Sequence, residues 1–123
     1  MKTVLIIEDN PDSMKLISFI LEKQGYKTLL AETGEKGLEI AFNEKPDFIM
    51  LDIQLPGIDG LEVLQKIRNA EPDGRIPIIA LTSYAMSGDR EKMMASGCNG
   101  YIEKPIDPGR IIDQIREVLE NRP

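Results

Sequence analysis

Three short apolar runs do most to limit what this chain can become: Val4 to Ile7, Phe48 to Leu51 and Ile78 to Leu81. Each is continuous rather than alternating, so a strand made from it carries apolar side chains on both faces. Sheets buried on both faces are parallel sheets, with helical crossovers joining the strands. Thr28 to Ala31 and Gly100 to Ile102 are weaker strand segments, expected nearer the sheet edges.

The stretches between these runs carry helix signals. Asn10 before Pro11 can cap a first helix, and Gly25 stands where a left-handed stop is wanted. Met14, Ile17, Ile20 and Leu21 form the apolar stripe between them. Asp59 and Glu62 have capping-box spacing ahead of Leu61, Val63, Leu64 and Ile67. Asp107 followed by Pro108 opens a last helix with the face Ile111, Ile112, Ile115, Val118 and Leu119. Met86, Met93 and Met94 fall at roughly helical spacing and read as core or interface filler. Cys98 reads as a packing residue ahead of the last strand, and Gly57 and Gly60 as servants of loop geometry.

Strand and helix thus alternate five times. The expected fold class is α/β: a (βα)5 doubly wound, five-stranded parallel sheet of strand order 2-1-3-4-5, flavodoxin-like. A length of 123 residues fits one domain over 1–123, and 41% hydrophobic residues suffice for a core without staples.

Composition removes whole classes of chemistry. There is no histidine, which excludes Ser-His-Asp and Cys-His catalysis and histidine-ligated zinc. The single cysteine forbids an internal disulfide and suggests a reducing compartment. A net charge of -6 argues against direct binding to nucleic acid or an anionic membrane. With no apolar stretch of membrane-spanning length and no signal-peptide core, a cytoplasmic protein is expected.

Open parallel sheets bind ligands outside the carboxyl ends of their strands. Glu8 and Asp9 follow the first strand, Asp52 the third, Thr82 the fourth and Lys104 the fifth. Three carboxylates at one sheet edge repel one another unless a cation sits among them. Mg2+, with Mn2+ as a substitute, is the simplest such cation. Asp9 and Asp52 would be direct ligands, Glu8 would stand a layer behind them, and the backbone carbonyl of Gln54 would complete the protein's share. Such a site suits phosphoryl transfer. Asp52 would be the nucleophile, Lys104 and the cation would neutralise the arriving oxygens, and Thr82 would hydrogen-bond one of them. Gln54 and Tyr84 flank the pocket, two residues beyond Asp52 and Thr82.

The segments VLIIEDN, MLDIQLPGIDG, ALTS and YIEKPI resemble the signature runs of response-regulator receiver domains, the CheY-like family. The resemblance covers essentially the whole chain, with Glu8 where Asp is commoner. It implies that Asp52 is the phosphoacceptor, Thr82 the switch hydroxyl and Tyr101 the switch aromatic. It also implies a cis bond at Lys104–Pro105. The donor would be a phosphohistidine on a sensor histidine kinase or histidine phosphotransfer protein, docking on the first helix, through exposed residues such as Ser13 and Leu16, and on the loops around the pocket. Output would pass to a downstream protein target through the face made by the fourth helix, fifth strand and fifth helix. The protein would be a monomer or a weak, phosphorylation-dependent dimer, and no enzyme beyond phosphoryl self-transfer and slow autodephosphorylation.

The stretch from Tyr84 to Cys98 resembles DivK-type single-domain regulators, and also receivers of hybrid sensor kinases. Since the last helix is expected to run to within a few residues of Pro123, a stand-alone regulator is expected, with an excised hybrid-kinase receiver as the alternative. A magnesium-dependent phosphatase or phosphotransferase on the same fold is the rival activity, weakened because Glu8-Asp9-Asn10 lacks the D-x-D pattern of haloacid-dehalogenase-like enzymes. A nucleotide or flavin binder is disfavoured by the absence of a Gly-rich turn after the first strand.

Overall fold

The computed structural model describes residues 2–71, 76–83 and 87–121; Tyr84 and Met86 lie outside the described residues. Its elements run β1 (Thr3–Ile7), α1 (Pro11–Lys23), β2 (Lys27–Ala31), α2 (Gly34–Glu44), β3 (Phe48–Asp52), α3 (Gly60–Ala70), β4 (Ile78–Thr82), α4 (Ser87–Ala95), β5 (Gly100–Glu103) and α5 (Ile111–Asn121). The strands form one parallel sheet of order β2-β1-β3-β4-β5, as the apolar runs require.

The pleat sorts each strand's side chains into two cores. Leu5, Ile7, Ile49, Leu51, Ile78 and Ala80 point to the side packed by Ala41 of α2, Leu64 of α3 and Met93 of α4. Val4, Ile6, Phe48, Met50, Ile79 and Leu81 point to the side covered by α1 and α5, where Ile17, Leu21, Ile111 and Ile115 meet them. Burying an aliphatic side chain of this size stabilises the fold by about 1.5–3 kcal/mol, so β1, β3 and β4 fix the register of the whole sheet.

Local signals set the helix ends. Asn10 Oδ1 accepts the N–H groups of Asp12 and Ser13, and Gly25 adopts φ 91° just past α1. Thr33 caps α2, and Asp59 caps α3 by accepting the Glu62 N–H at 2.9 Å. Cys98 is buried in the core, as a packing residue should be, and burial pushes its thiol up to about 11.

Four expectations need correction. The last helix starts at Ile111 rather than at Asp107-Pro108. A turn precedes it, in which Asp107 Oδ1 accepts the Gly109 N–H. Met93 is core, but Met94 is 48% exposed, because adjacent helical residues face different directions. Ser13 and Leu16 are only partly exposed; Phe19, at 57%, is the prominent apolar residue of α1. Gly57 has φ 72° and does serve its loop, whereas Gly60 is helical and is needed for a different reason, given below.

Candidate functional site

The carboxyl edge of the sheet gathers the acidic residues. Glu8 follows β1 and is wholly buried, whereas Asp9 beside it is exposed. Asp52 and Thr82 are each 2% exposed and are the last residues of β3 and β4. One carboxylate oxygen from each of Glu8, Asp9 and Asp52 lies within 4.8 Å of the other two.

Lys104 comes in from the turn after β5. Its backbone N–H bonds the Thr82 carbonyl at 2.8 Å, and the Lys104–Pro105 peptide is cis. Its Nζ stands 2.5 Å from Glu8 Oε1 and 3.0 Å from Asp52 Oδ2. Backbone donors hold the other oxygens: Gln54 N–H on Asp52 Oδ1 at 2.9 Å, and Asn10 N–H on Glu8 Oε2 at 3.1 Å. Glu8 Oε1 is thus engaged by Lys104 as a buried ion pair.

These neighbours divide the charge unevenly. Burial, then the hydrogen bond with Asp52, push Glu8 up to about 7 against the pull of Lys104 and the Asn10 N–H. Burial would raise Asp52 too, but the bonds from Glu8, the Gln54 N–H and Lys104 outweigh it and hold Asp52 below its ordinary value. Burial alone would lower Lys104, yet Glu8 and Asp52 together raise it. Asp52 is therefore the ionised member of the pair. The Glu8, Asp9 and Asp52 carboxylates make an all-oxygen donor set that fits a hard divalent cation.

Gln54 lies on the surface of the pocket. Its Oε1 accepts the Ser83 N–H at 3.3 Å, which ties the loop after β3 to the loop after β4. Tyr101 is half-buried against the α2-α3-α4 side and pairs with Ala80, one pleat before the Thr82–Glu103 pair. Thr82 and Tyr101 thus project to the same side, whereas Asp52, opposite Leu81, belongs to the other. The backbone donors of Asn10, Gln54 and Ser83 escaped sequence reasoning because every residue type but proline supplies them.

Comparison with known proteins agrees with this architecture. The response regulator receiver domain family matches residues 4–116. The polar-differentiation response regulator DivK of Brucella ovis is 42% identical over 118 residues, 96% of each chain. Chemotaxis protein CheY4 of Vibrio cholerae superposes with a TM-score of 0.90 at 25% identity, covering 96% of this chain and 98% of that one. The receiver domain of sensor histidine kinase PA1611 from Pseudomonas aeruginosa, solved with magnesium in its active-site cleft, gives 0.86 at 32% identity and 98% of both chains. The acidic strand-end pocket, the 2-1-3-4-5 sheet and these matches together place the chain in the response-regulator receiver family, among the DivK-like receivers of two-component signalling.

Proposed function

We propose that Asp52 accepts a phosphoryl group from a phosphohistidine on a sensor histidine kinase or histidine phosphotransfer protein. One observation carries this reading: a buried carboxylate kept ionised 3.0 Å from the Lys104 ammonium, at the edge where Glu8 and Asp9 converge. An oxygen of the Asp52 carboxylate attacks phosphorus. The bond from phosphorus to the donor's imidazole nitrogen breaks, and that nitrogen leaves with the electron pair. Lys104 offsets the charge on the phosphoryl oxygens, and Thr82 donates a hydrogen bond to one of them. Glu8, Asp9, Asp52 and the Gln54 carbonyl would hold Mg2+, which when bound supplies further neutralisation of those oxygens. The donor docks on α1, where Asp12, Lys15, Leu16 and Phe19 border a shallow depression.

Phosphorylation adds negative charge and acceptor oxygens beside Thr82. Movement of its hydroxyl toward them frees room for Tyr101, on the same side of the sheet, to turn inward and reshape the α4-β5-α5 face for a downstream protein. The chain works as a switch in the cytoplasm, without direct contact to nucleic acid or membrane. No helix among the described residues is long and apolar enough to cross a membrane. Intact mass after exposure to acetyl phosphate tests the proposal. One phosphoryl group is expected on the wild type with Mg2+, and none after chelation or on Asp52→Asn. A wild type that gains nothing overturns it.

A further inference from the structure

Gly60 opens α3, and its backbone is not in the left-handed region, so conformation alone would admit any residue there. Space would not. A methyl group at this position would fall inside 3.0 Å of the Asp52 carbonyl oxygen and of Ile53 Cα, and 2.9 Å from the Ile53 carbonyl carbon. All three obstacles are backbone, so no side-chain rotation relieves them. Gly60 N–H also bonds the Ile53 carbonyl at 2.9 Å, and on the other flank Ile53 N–H bonds Leu81 of β4 at 3.0 Å. The peptide linking Asp52 to Ile53 is therefore held between β4 and the first turn of α3.

From this contact we infer that Gly60 is a positioning residue for phosphoryl transfer: by letting α3 rest directly on the Asp52–Ile53 peptide, it fixes where the acceptor carboxylate points. The inference rests on Asp52 being the acceptor. The same peptide leads into Gln54, whose N–H orients Asp52 Oδ1, so a displacement here moves the acceptor and its hydrogen bond together. Alanine needs the peptide to shift by roughly half an ångström or more, and misplacement of that order costs about 10- to 100-fold in rate. Gly100 gives an internal control. It is as crowded, with a methyl 2.5 Å from Val118 Cγ2, but the obstacle is a side chain of α5 at the opposite end of the strands.

The test is the rate of phosphorylation by acetyl phosphate at saturating Mg2+, on folded protein well below its melting temperature. Gly60→Ala should be about 10- to 100-fold slower at saturating donor, with the donor concentration for half-maximal rate little changed. Gly100→Ala should lose stability and keep the wild-type rate. If Gly60→Ala does not fold, Asp59→Ala loosens the same helical turn without adding an atom at the contact, and a several-fold slowing is expected. A wild-type rate in folded Gly60→Ala, or equal slowing in Gly100→Ala, would overturn the inference, as would an unslowed Asp59→Ala used in its place. Failure of the wild type itself to take up phosphate would instead refute the role of Asp52.

Discussion

Without a cation, the protein should lose stability as the pH rises from 5.5 to 8, and Glu8 should be the cause. Folding raises the Glu8 pKa from 4.5 to about 7, through burial and the bond to Asp52. The folded state therefore holds a proton that the unfolded chain has already released. The stability this provides is whole below about pH 4.5 and is lost as the pH climbs through 7. At about 1.4 kcal/mol per pH unit the full loss is about 3 kcal/mol, of which about 2 kcal/mol falls between pH 5.5 and 8. Few other groups blur this window. The chain has no histidine, and Cys98 titrates near 11. Asp52 is lowered, so its contribution is lost only as the pH falls below 3.8, and Lys104 is raised above 10.5. Urea unfolding in chelator should show the midpoint falling by roughly 1 M across the window, for a slope of about 2 kcal/mol per molar. Glu8→Gln should be flat, and millimolar Mg2+ should restore the wild type at pH 8 by binding only the folded site. A level wild-type profile, or the same fall in Glu8→Gln, would refute the reasoning.

Three further outcomes follow from named contacts. Lys104→Met removes both ion pairs and leaves two buried carboxylates facing each other. It should cost about 2–4 kcal/mol at pH 7 in urea unfolding and slow phosphorylation by about 100-fold or more. Arg68, largely buried, donates to the Gly97 carbonyl, Glu71 and Asn99, tying α3 to the start of β5. Arg68→Met should therefore destabilise by about 2–4 kcal/mol while the phosphorylation rate of the folded protein stays unchanged. Thr82→Ala should still be phosphorylated, but the Tyr101 ring resonances should no longer shift on phosphorylation in NMR spectra; a wild-type shift would contradict its role in the switch.

Much of this was legible in the residues. The runs around Ile6, Met50 and Ile79 read as doubly buried strands because each of their side chains meets a helix layer. Asp52 and Thr82 stood out because polar groups at the carboxyl ends of such strands must share one edge, and Lys104 reaches that edge from the turn after the weaker fifth strand. The upward push on Glu8 was not legible. It depends on the burial of its side chain and on the approach of Asp52, which lies far along the chain, outweighing the pull of Lys104. Nor was the bracket from Arg68 to Asn99, whose members are 31 residues apart. Gly60 shows a subtler limit. Left-handed backbone and close approach both call for glycine, and sequence alone does not distinguish them. The start of α5 was misplaced because Asp107-Pro108 opens a turn as readily as a helix.

The central claim concerns which carboxylate carries the phosphoryl group, and chemical trapping reads that directly. Borohydride reduces an acyl phosphate to the alcohol, so a phosphorylated aspartate becomes homoserine. After acetyl phosphate, Mg2+ and borohydride, peptide mass spectrometry should find homoserine at position 52 alone, and none in protein treated without donor. Reduction at Asp9 or Glu8, or at no acidic residue of a protein that had gained phosphate, would contradict the assignment of Asp52.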